Sequence, residues 1–469
     1  MKKLFILFNI FLCLGIRLVE AQYNVLLSFN NTSNPQGNFP LGNLTVSGNT
    51  MYGVTPIGGA SKNGCVFSLS TNGSNYKDLF DFNDTDGSYP EGTLTLSGNI
   101  LYGTTYRGGI SDSGVIFSIH TDGTGYKILT QFSAINADNP YGKLVLSGNK
   151  LFGKAQYGGA NHWGCVFSVD TTGTGFKDLF DFLYHEDPWP VIGSLTISGS
   201  TLYGMTFYGG TLHYGNIFSI DTNGTGYADI YDFNEGYGDA YPFGSLTLSG
   251  NTLYGMTNDS YCSYIFGNIF SIKTDGSAYK NIHSFTSAEG EWPTGDVTLL
   301  GGKLYGMIQN GGSDGKGCII SIDTNGSGYT QLVNFNGSNG QFPQGSMVFY
   351  NNVFYGMVSE GGANGDGLIF SLDTTFINGI NTVKNVFGNI TISPNPSTGI
   401  FTIQSSVVSG QSSVEVYNVL GEKVYSSSHS LSTNHYSFDL SNQPNGIYLY
   451  RVLNEDGSLL GEGKVIVQK

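Results

Sequence analysis

His162 and Trp163 (QYGGANHWG), His213 and Tyr214 (FYGGTLHYG), and the run Tyr184-His185-Glu186-Asp187 that leads to Trp189 set imidazole, carboxylate and aromatic groups a few residues apart. That mixture suits carbohydrate, because aromatic faces stack on sugar rings while imidazoles and carboxylates hydrogen-bond to hydroxyls. A solvated loop has the same composition, so these residues are binding candidates only. A second set shares one repeated position: Phe39, Tyr89, Trp189, Tyr241, Trp292 and Phe342 each precede a proline, with Asn139 as the exception. Trp189 and Trp292 are the best sugar platforms among them. The competing expectation is that each aromatic packs under the neighbouring unit and holds its loop.

Glycoside chemistry needs two carboxylates at a set separation. Glu186 with Asp187, Glu235 with Asp239, and Glu289 with Glu291 are the available pairs, and sequence gives no separations. No Ser-His-Asp pattern is specific, and no glycine-rich phosphate loop runs from a strand into a helix. No catalytic or cofactor-binding residue is therefore assigned. NDTDGS (83–88) has part of a calcium loop without its full alternation or terminal glutamate. Calcium is the one ion the sequence leaves open, and no metal ligand is assigned. Cys65, Cys165 and Cys318 follow a glycine at one repeated position, expected to be too far apart for disulfides. They read as small buried residues.

The elements that must position these groups recur about every fifty residues. An aromatic-glycine step appears at Tyr52, Tyr102, Phe152, Tyr203, Tyr254, Tyr305 and Tyr355, spaced 50, 50, 51, 51, 51 and 50 residues apart. A period of this size points to a stacked array or a propeller. Each unit reads as four short strands bounded by Gly, Asn, Asp and Ser, as in PEGTLTLSG, NILYGTT, GVIFSI and YKILTQF (90–132). The expected fold is all-β, a seven-bladed β-propeller over 22–375. The seventh repeat runs out after its third strand at Leu368-Ile369-Phe370. The missing fourth strand stands at the start of the chain, with Tyr23, Leu26 and Phe29 in the fourth-strand pattern. The N-terminal strand is expected to close the ring. Short turns between strands one and two, and three and four, are nearly invariant between repeats. The other loops differ from blade to blade, and binding is expected on their face.

The steps LYG, GG, G-x-(Ile/Val)-Phe-Ser and DTNGTGY resemble the GloVer tandem repeats of secreted bacterial proteins, over about 40–373. That resemblance implies an extracellular protein and no particular activity. NDSYCSYIFG (258–267) departs from it by lacking the Gly-Gly pair. Past a linker at 376–388, residues 389–469 read as a small Ig-like β-sandwich. This module resembles the type A C-terminal sorting domain of the type IX secretion system. The resemblance rests on Pro394-Asn395-Pro396 with Gly399, Tyr417-Asn418 with Gly421, Asn445-Gly446-Ile447-Tyr448, and the late basic residues Lys464 and Lys469. It implies the type IX machinery as partner, passage across the outer membrane, and release or surface attachment.

Residues 1–21 read as a signal peptide, with Lys2 and Lys3, an apolar stretch Leu4 to Ile16, and Val19-Glu20-Ala21 before the cut. Formal charge is −15 and only 12% of residues are charged. That acidity argues against nucleic acid and against anionic membrane surfaces. No membrane insertion is expected, and the chain is expected to be a monomer. The leading function is a secreted or surface-attached binding or adhesion module for an extracellular glycan. A polysaccharide-degrading enzyme and a purely structural repeat are the alternatives.

Overall fold

A computed structural model describes residues 22–30, 36–183, 193–234, 240–258 and 266–373. In the C-terminal part it describes 390–393, 395, 397–405, 411–418, 422–430, 435–454 and 459–469. The chain divides into two compact units, Met1–Thr374 and Thr375–Lys469. The leader and the linker lie outside the described residues.

The first unit is all-β. Its first sheet joins Thr45–Ser47, Thr50–Thr55, Cys65–Ser70 and Lys77–Asp81 in that order, all antiparallel. Among the described residues six more sheets repeat this order. The sixth carries an extra strand, Glu291–Pro293, beside Lys303–Asn310. The aromatic-glycine step has a packing cause. A Cβ on Gly53 would lie 2.5 Å from the Phe67 ring, and Gly103, Gly153, Gly204, Gly255 and Gly356 face Phe117, Phe167, Phe218, Phe270 and Phe370 in the same way. Gly306 is the exception, because Ile320 stands opposite and leaves room. The step and the third-strand phenylalanine are thus one contact.

The seventh sheet draws its fourth strand from the other end of the unit. Gln22–Ser28 pairs antiparallel with Leu368–Asp373, from Gln22 opposite Asp373 to Ser28 opposite Leu368. Its side chains take the usual places. Tyr23 stacks on Phe370 at 5.1 Å and 28°, as Tyr126 stacks on Phe117 at 5.7 Å and 25°.

The first strands are shorter than the sequence pattern suggests: PEGTLTLSG contributes only Thr95–Ser97 to a ladder. The threonine that opens the short strand also bonds sideways to the next sheet. Thr45 Oγ1 donates to Leu94 O at 2.5 Å, Thr196 to Leu246 O at 2.5 Å, and Thr298 to Met347 O at 2.8 Å; Thr95–Leu144 and Thr247–Val297 repeat the bond. Just upstream, one glycine per sheet touches the next sheet's glycine. Gly42 meets the carbonyl of Gly92, and the contacts run on through Gly142, Gly193, Gly244, Gly295 and Gly345 until Gly345 meets Gly42. A Cβ on Gly193 would fall 1.9 Å from Gly244 O, so no larger residue fits this approach.

The second unit has two antiparallel sheets. One joins Ile390–Ser393, Ile400–Ser405 and His435–Asp439. The other joins Lys423–Ser430, Gln411–Tyr417, Gly446–Asn454 and Leu459–Val467. Phe401, Val414, Phe438, Val452 and Val465 form their shared core. The motif residues fasten the final strand. Asn395 accepts from Ile466 N at 2.9 Å and donates to Lys464 O at 2.9 Å, while Asn445 accepts from Lys469 N at 2.9 Å. Tyr448 OH donates to Pro444 O at 2.8 Å, and Asn418 Oδ1 accepts from Glu422 N at 3.0 Å. Gly399 (φ +132°) lies where a Cβ would meet Ser441. Tyr417 OH donates to Glu415 at 2.7 Å. Lys464 is exposed. Pro394, Pro396 and Gly421 lie outside the described residues.

Candidate functional site

The site is framed by loops that the repeat itself holds down. At the end of the fourth strand a side-chain oxygen accepts from the glycine loop of the same sheet. Gln131 takes Ile110 N at 2.8 Å, Asp181 takes Ala160 N at 2.8 Å, Asn334 takes Ser313 N at 3.1 Å, and Ser28 takes Ala363 N at 3.3 Å. Between sheets, a second turn closes on its own side chain. Asn83 N donates to Asp86 at 2.9 Å, Ser133 N to Asn136 at 2.8 Å, Thr286 N to Glu289 at 3.0 Å, and Asn336 N to Asn339 at 2.8 Å.

Two sequence candidates lie in that second turn. Asn83 Oδ1 and Asp86 Oδ1 in NDTDGS accept from Thr85 and Asn83 within the turn. Those two oxygens close a recurrent turn. Glu289 likewise accepts from Thr286 N and Oγ1 and lies 3.3 Å from His283 Nε2, so it is committed to its own loop. The three cysteines are buried free thiols. They do more than fill space: Cys65, Cys165 and Cys318 each donate at 3.6 Å to a turn carbonyl, of Gln36, Asn136 and Glu289. Burial pushes Cys65 and Cys318 up to about 12, which leaves them unreactive.

The aromatic position before proline has one backbone conformation throughout. Phe39, Tyr89, Asn139, Tyr241, Trp292 and Phe342 have φ between 53° and 61°. Bulky residues avoid this left-handed region, at a cost of order 1–3 kcal/mol each. The chain is held there from both sides. Tyr89 N donates to Asn63 O at 3.0 Å, Tyr241 N to Tyr214 O at 2.8 Å and Phe342 N to Lys316 O at 2.9 Å, all in the preceding sheet's glycine loop. The proline that follows packs on that loop's last glycine, as Pro90 does on Gly64. The expectation that these rings pack away beneath a neighbour holds for Tyr241, which is buried. It fails for Tyr89 and Trp292, which are 37% and 40% exposed.

Three residues further on lies the circular series of glycines, which surrounds a cavity of ≈ 50 Å³ lined from all seven sheets. Around it Asn43 N donates to Thr93 Oγ1, Lys143 N to Ser194 Oγ and Ser194 N to Ser245 Oγ, each at 2.8 Å. Ser245 N, Asp296 N and Ser346 N continue to Asp296, Ser346 and Asn43 at 2.5 Å each. Glu91, Tyr141, Lys143 and Asp296 also line this space. Burial pushes Glu91 up to about 7 against the pull of Arg107. Burial lowers Lys143 and raises Asp296.

From this cavity aromatic side chains run outward on one side. Phe243 lines the cavity and lies 6.2 Å from Phe207. Phe207 lies 5.2 Å from Tyr241, and Tyr241 lies 5.4 Å from Tyr208 and 5.8 Å from Tyr214. Tyr141 lines the cavity too, 6.3 Å from Tyr106, whose OH donates to Gln156 at 2.9 Å.

Of the sequence-predicted residues, Tyr214 joins this aromatic cluster. His213 and His162 are exposed at the tips of their glycine loops, with φ of 60° and 63°. Trp163 bridges back to Gly158 in the same loop. Trp292 holds the repeated left-handed position in the sixth sheet. His185, Glu186, Asp187 and Trp189 lie outside the described residues, as does the pair Glu235 and Asp239. Sequence reading passed over Arg107, Phe207, Tyr208, Phe243 and Glu91. The signal was available, because the residue before Gly-Gly varies among the repeats (Ile57, Arg107, Tyr157, Tyr208, Asn310, Glu360) while the Gly-Gly pair itself recurs.

The family described as the Gloeobacter/Verrucomicrobia repeat matches residues 15–198, 138–263 and 258–418. The secretion system C-terminal sorting domain matches residues 391–468. No curated protein matches the chain. Among solved structures, a GH74 enzyme of Niastella koreensis is similar, with a TM-score of 0.53 at 15% identity over 82% of this chain and 60% of that one. A puromycin-hydrolyzing peptidase of Mycobacterium tuberculosis has a TM-score of 0.50 at 12% identity, over 82% and 62%. PorZ, a surface component of the type IX secretion system of Porphyromonas gingivalis, has a TM-score of 0.49 at 13% identity, over 94% and 61%. The chain thus spans about six tenths of the length of these structures. The first two likenesses speak for a propeller-like fold and nothing finer.

Proposed function

The chain belongs to the Gloeobacter/Verrucomicrobia repeat family and ends in a type IX secretion sorting domain, which makes it a secreted or outer-surface-attached protein; from that premise we propose that it binds glycan at the cell surface without cleaving it. The seven sheets are the blades of a closed propeller, with the N-terminal strand completing the last. The C-terminal unit is an Ig-like sandwich that the export machinery recognises. The binding surface is the variable loop face around the central cavity.

The observation that carries this reading is the left-handed aromatic position. A strained conformation recurs in six described blades, three residues before the glycines that surround the cavity, and Tyr89 and Trp292 present their rings to solvent. Rigid, exposed aromatic faces are what a pyranose chain stacks on. The cluster Phe207, Tyr208, Tyr214 and Tyr241 extends this apolar surface over blades four and five. The enzymatic alternative would use Glu91, raised to about 7, with Asp296, which lines the same cavity of ≈ 50 Å³.

A screen of the purified chain against a polysaccharide array tests the proposal, followed by assay of each bound polymer for new reducing ends. Selective binding without new ends is the expected result. New reducing ends would favour the enzyme. Absence of binding across the array would overturn the glycan reading and favour a structural or protein-binding surface.

A further inference from the structure

Between residues 22 and 373 the sequence contains one arginine, Arg107. It stands at a position that varies among the repeats, directly before Gly108-Gly109. Backbone bonds fix it from both sides: Arg107 N donates to Ser88 O at 3.0 Å, and Ser88 N donates to Arg107 O at 2.8 Å. The loop behind it is closed by Asp112 Oδ1, which accepts from Gly108 N at 2.9 Å, and by Gly109 N, which donates to Asp84 O at 2.6 Å. Its guanidinium makes no hydrogen bond or ion pair with a described residue. Five donors on a fixed backbone are therefore left for a partner.

What surrounds that guanidinium is a cleft. An open space of ≈ 410 Å³ is lined by Asp84, Thr85, Ser88, Tyr89, Arg107 and Asp112. This volume is at the lower end of ligand-site sizes. Tyr89, 37% exposed, supplies an aromatic face. Asp84, Tyr89 and Asp112 all sit at positive φ (68°, 54° and 53°), so three strained residues border one small cleft. Strain of this kind persists where the surrounding structure enforces it, and it gathers at ligand sites.

We propose that this cleft is a saccharide subsite selective for a neutral pyranose, with Tyr89 under the ring and Arg107 and Asp84 on adjacent hydroxyls. A sugar hydroxyl both donates and accepts, and the cleft offers one strong donor group beside strong acceptors. The charge balance decides against an acidic sugar. Asp84 and Asp112 outnumber Arg107, and the whole chain carries −15, so a uronate or sulfate meets net repulsion at short range and long. This inference rests on the glycan-binding reading and names the sugar class and the residues that choose it.

The test is calorimetric titration of the full-length purified chain with neutral oligosaccharides (β-glucan, mannan and xylan fragments) and with oligouronates of equal length. Variants are Arg107→Gln, Arg107→Lys and Tyr89→Asn, with Lys77→Gln on the opposite face as control. Asn139 occupies the Tyr89 position in the next repeat at φ 56°, so Tyr89→Asn keeps the backbone. The expected result is binding of a neutral fragment that falls about tenfold or more in Arg107→Gln and Tyr89→Asn. Arg107→Lys should recover part of it, and Lys77→Gln should match the parent, with melting temperatures unchanged. Neutral-sugar binding that survives both Arg107→Gln and Tyr89→Asn would overturn the subsite and leave the wider glycan reading standing. Tighter binding of the uronates would overturn the selectivity. No binding of either class by the parent chain would overturn the glycan reading itself, and the subsite with it.

Discussion

On the face of short turns, polar side chains fold back on their own backbone; on the face of long loops, several stay open. Asp122 accepts from Thr124 N and Oγ1 at 2.9 and 2.7 Å, Asn223 from Thr225 at 2.8 and 2.7 Å, and Asn325 from Ser327 at 2.8 and 2.7 Å. Lys127, Lys177 and Lys280 reach across to the next blade's turn carbonyls, of Thr172, Asn223 and Asn325. The opposite face also has such turns, yet there Arg107 and the rings of Tyr89 and Trp292 are turned outward. Both faces belong to the same repeats, so the difference lies in what varies between copies. One face is folded back on itself, and the other leaves residues open to solvent.

The comparison can be broken most sharply at Tyr241, which lies on the loop face yet is buried. Tyr241→Asn keeps the left-handed backbone and removes a buried ring from the centre of its cluster. It should lower unfolding stability by about 3 kcal/mol in denaturant titration, and abolish glycan binding. A stability loss under ~1 kcal/mol would mean that the cluster is not part of the core. The turn face should behave in the opposite way. Asp122→Ala, Asn223→Ala and Asn325→Ala together should lower the melting temperature by roughly additive steps, since the sites lie in different sheets and share no partner. Glycan affinity should stay within about twofold, well inside 1 kcal/mol. Trp292→Asn is the converse probe. Affinity should fall about tenfold, ~1.4 kcal/mol, with a melting shift of no more than a few degrees. A melting loss with intact affinity would return Trp292 to a packing role.

Acidity gives the smallest contrast, between the propeller and the sorting module. Burial raises Glu91 from 4.5 to about 7, and burial beside Asp81 and Asp181 raises Asp78 and Asp178. A raised carboxyl binds its proton more tightly in the folded chain, so stability falls as pH rises from about 4.5 through about 7. In the module, Lys423, Tyr417 and Arg451 hold Glu415 at about 2. That contribution is present above about 4.5 and is lost as pH falls toward about 2. Hydrogen exchange on the intact chain should show propeller amides better protected at pH 5 than at pH 8. Module amides should lose protection only below pH 4. Glu91→Gln should flatten part of the propeller's dependence.

Much of the fold was legible because its causes are local. The aromatic-glycine step predicts its phenylalanine partner, and Tyr23, Leu26 and Phe29 carry the fourth-strand pattern that pairs with Leu368–Asp373. The site was less legible. Histidine and tryptophan drew attention by type, whereas Arg107 acquires meaning only from being left unpaired beside Tyr89, which depends on the arrangement of two loops. The left-handed position was hidden for the opposite reason. Aromatic residues there look like ordinary packing, since no sequence rule predicts positive φ for Phe, Tyr or Trp. Glu289 shows the converse case, because a carboxylate singled out by its type also serves its own turn by accepting from Thr286.

The N-terminal strand has a consequence in time. Ala363 N bonds to Ser28 Oγ across 335 residues of chain, and the rest of that strand's ladder is as distant in sequence. That strand must therefore wait, with its edge open, for Leu368–Asp373 at the far end of the repeat array. Every earlier blade can settle on neighbours already present, but the seventh cannot until the whole repeat array has emerged. A chain threaded through a membrane pore would thus leave the seventh sheet without its fourth strand until the array is through, and the final pairing would also draw the two ends of the array together.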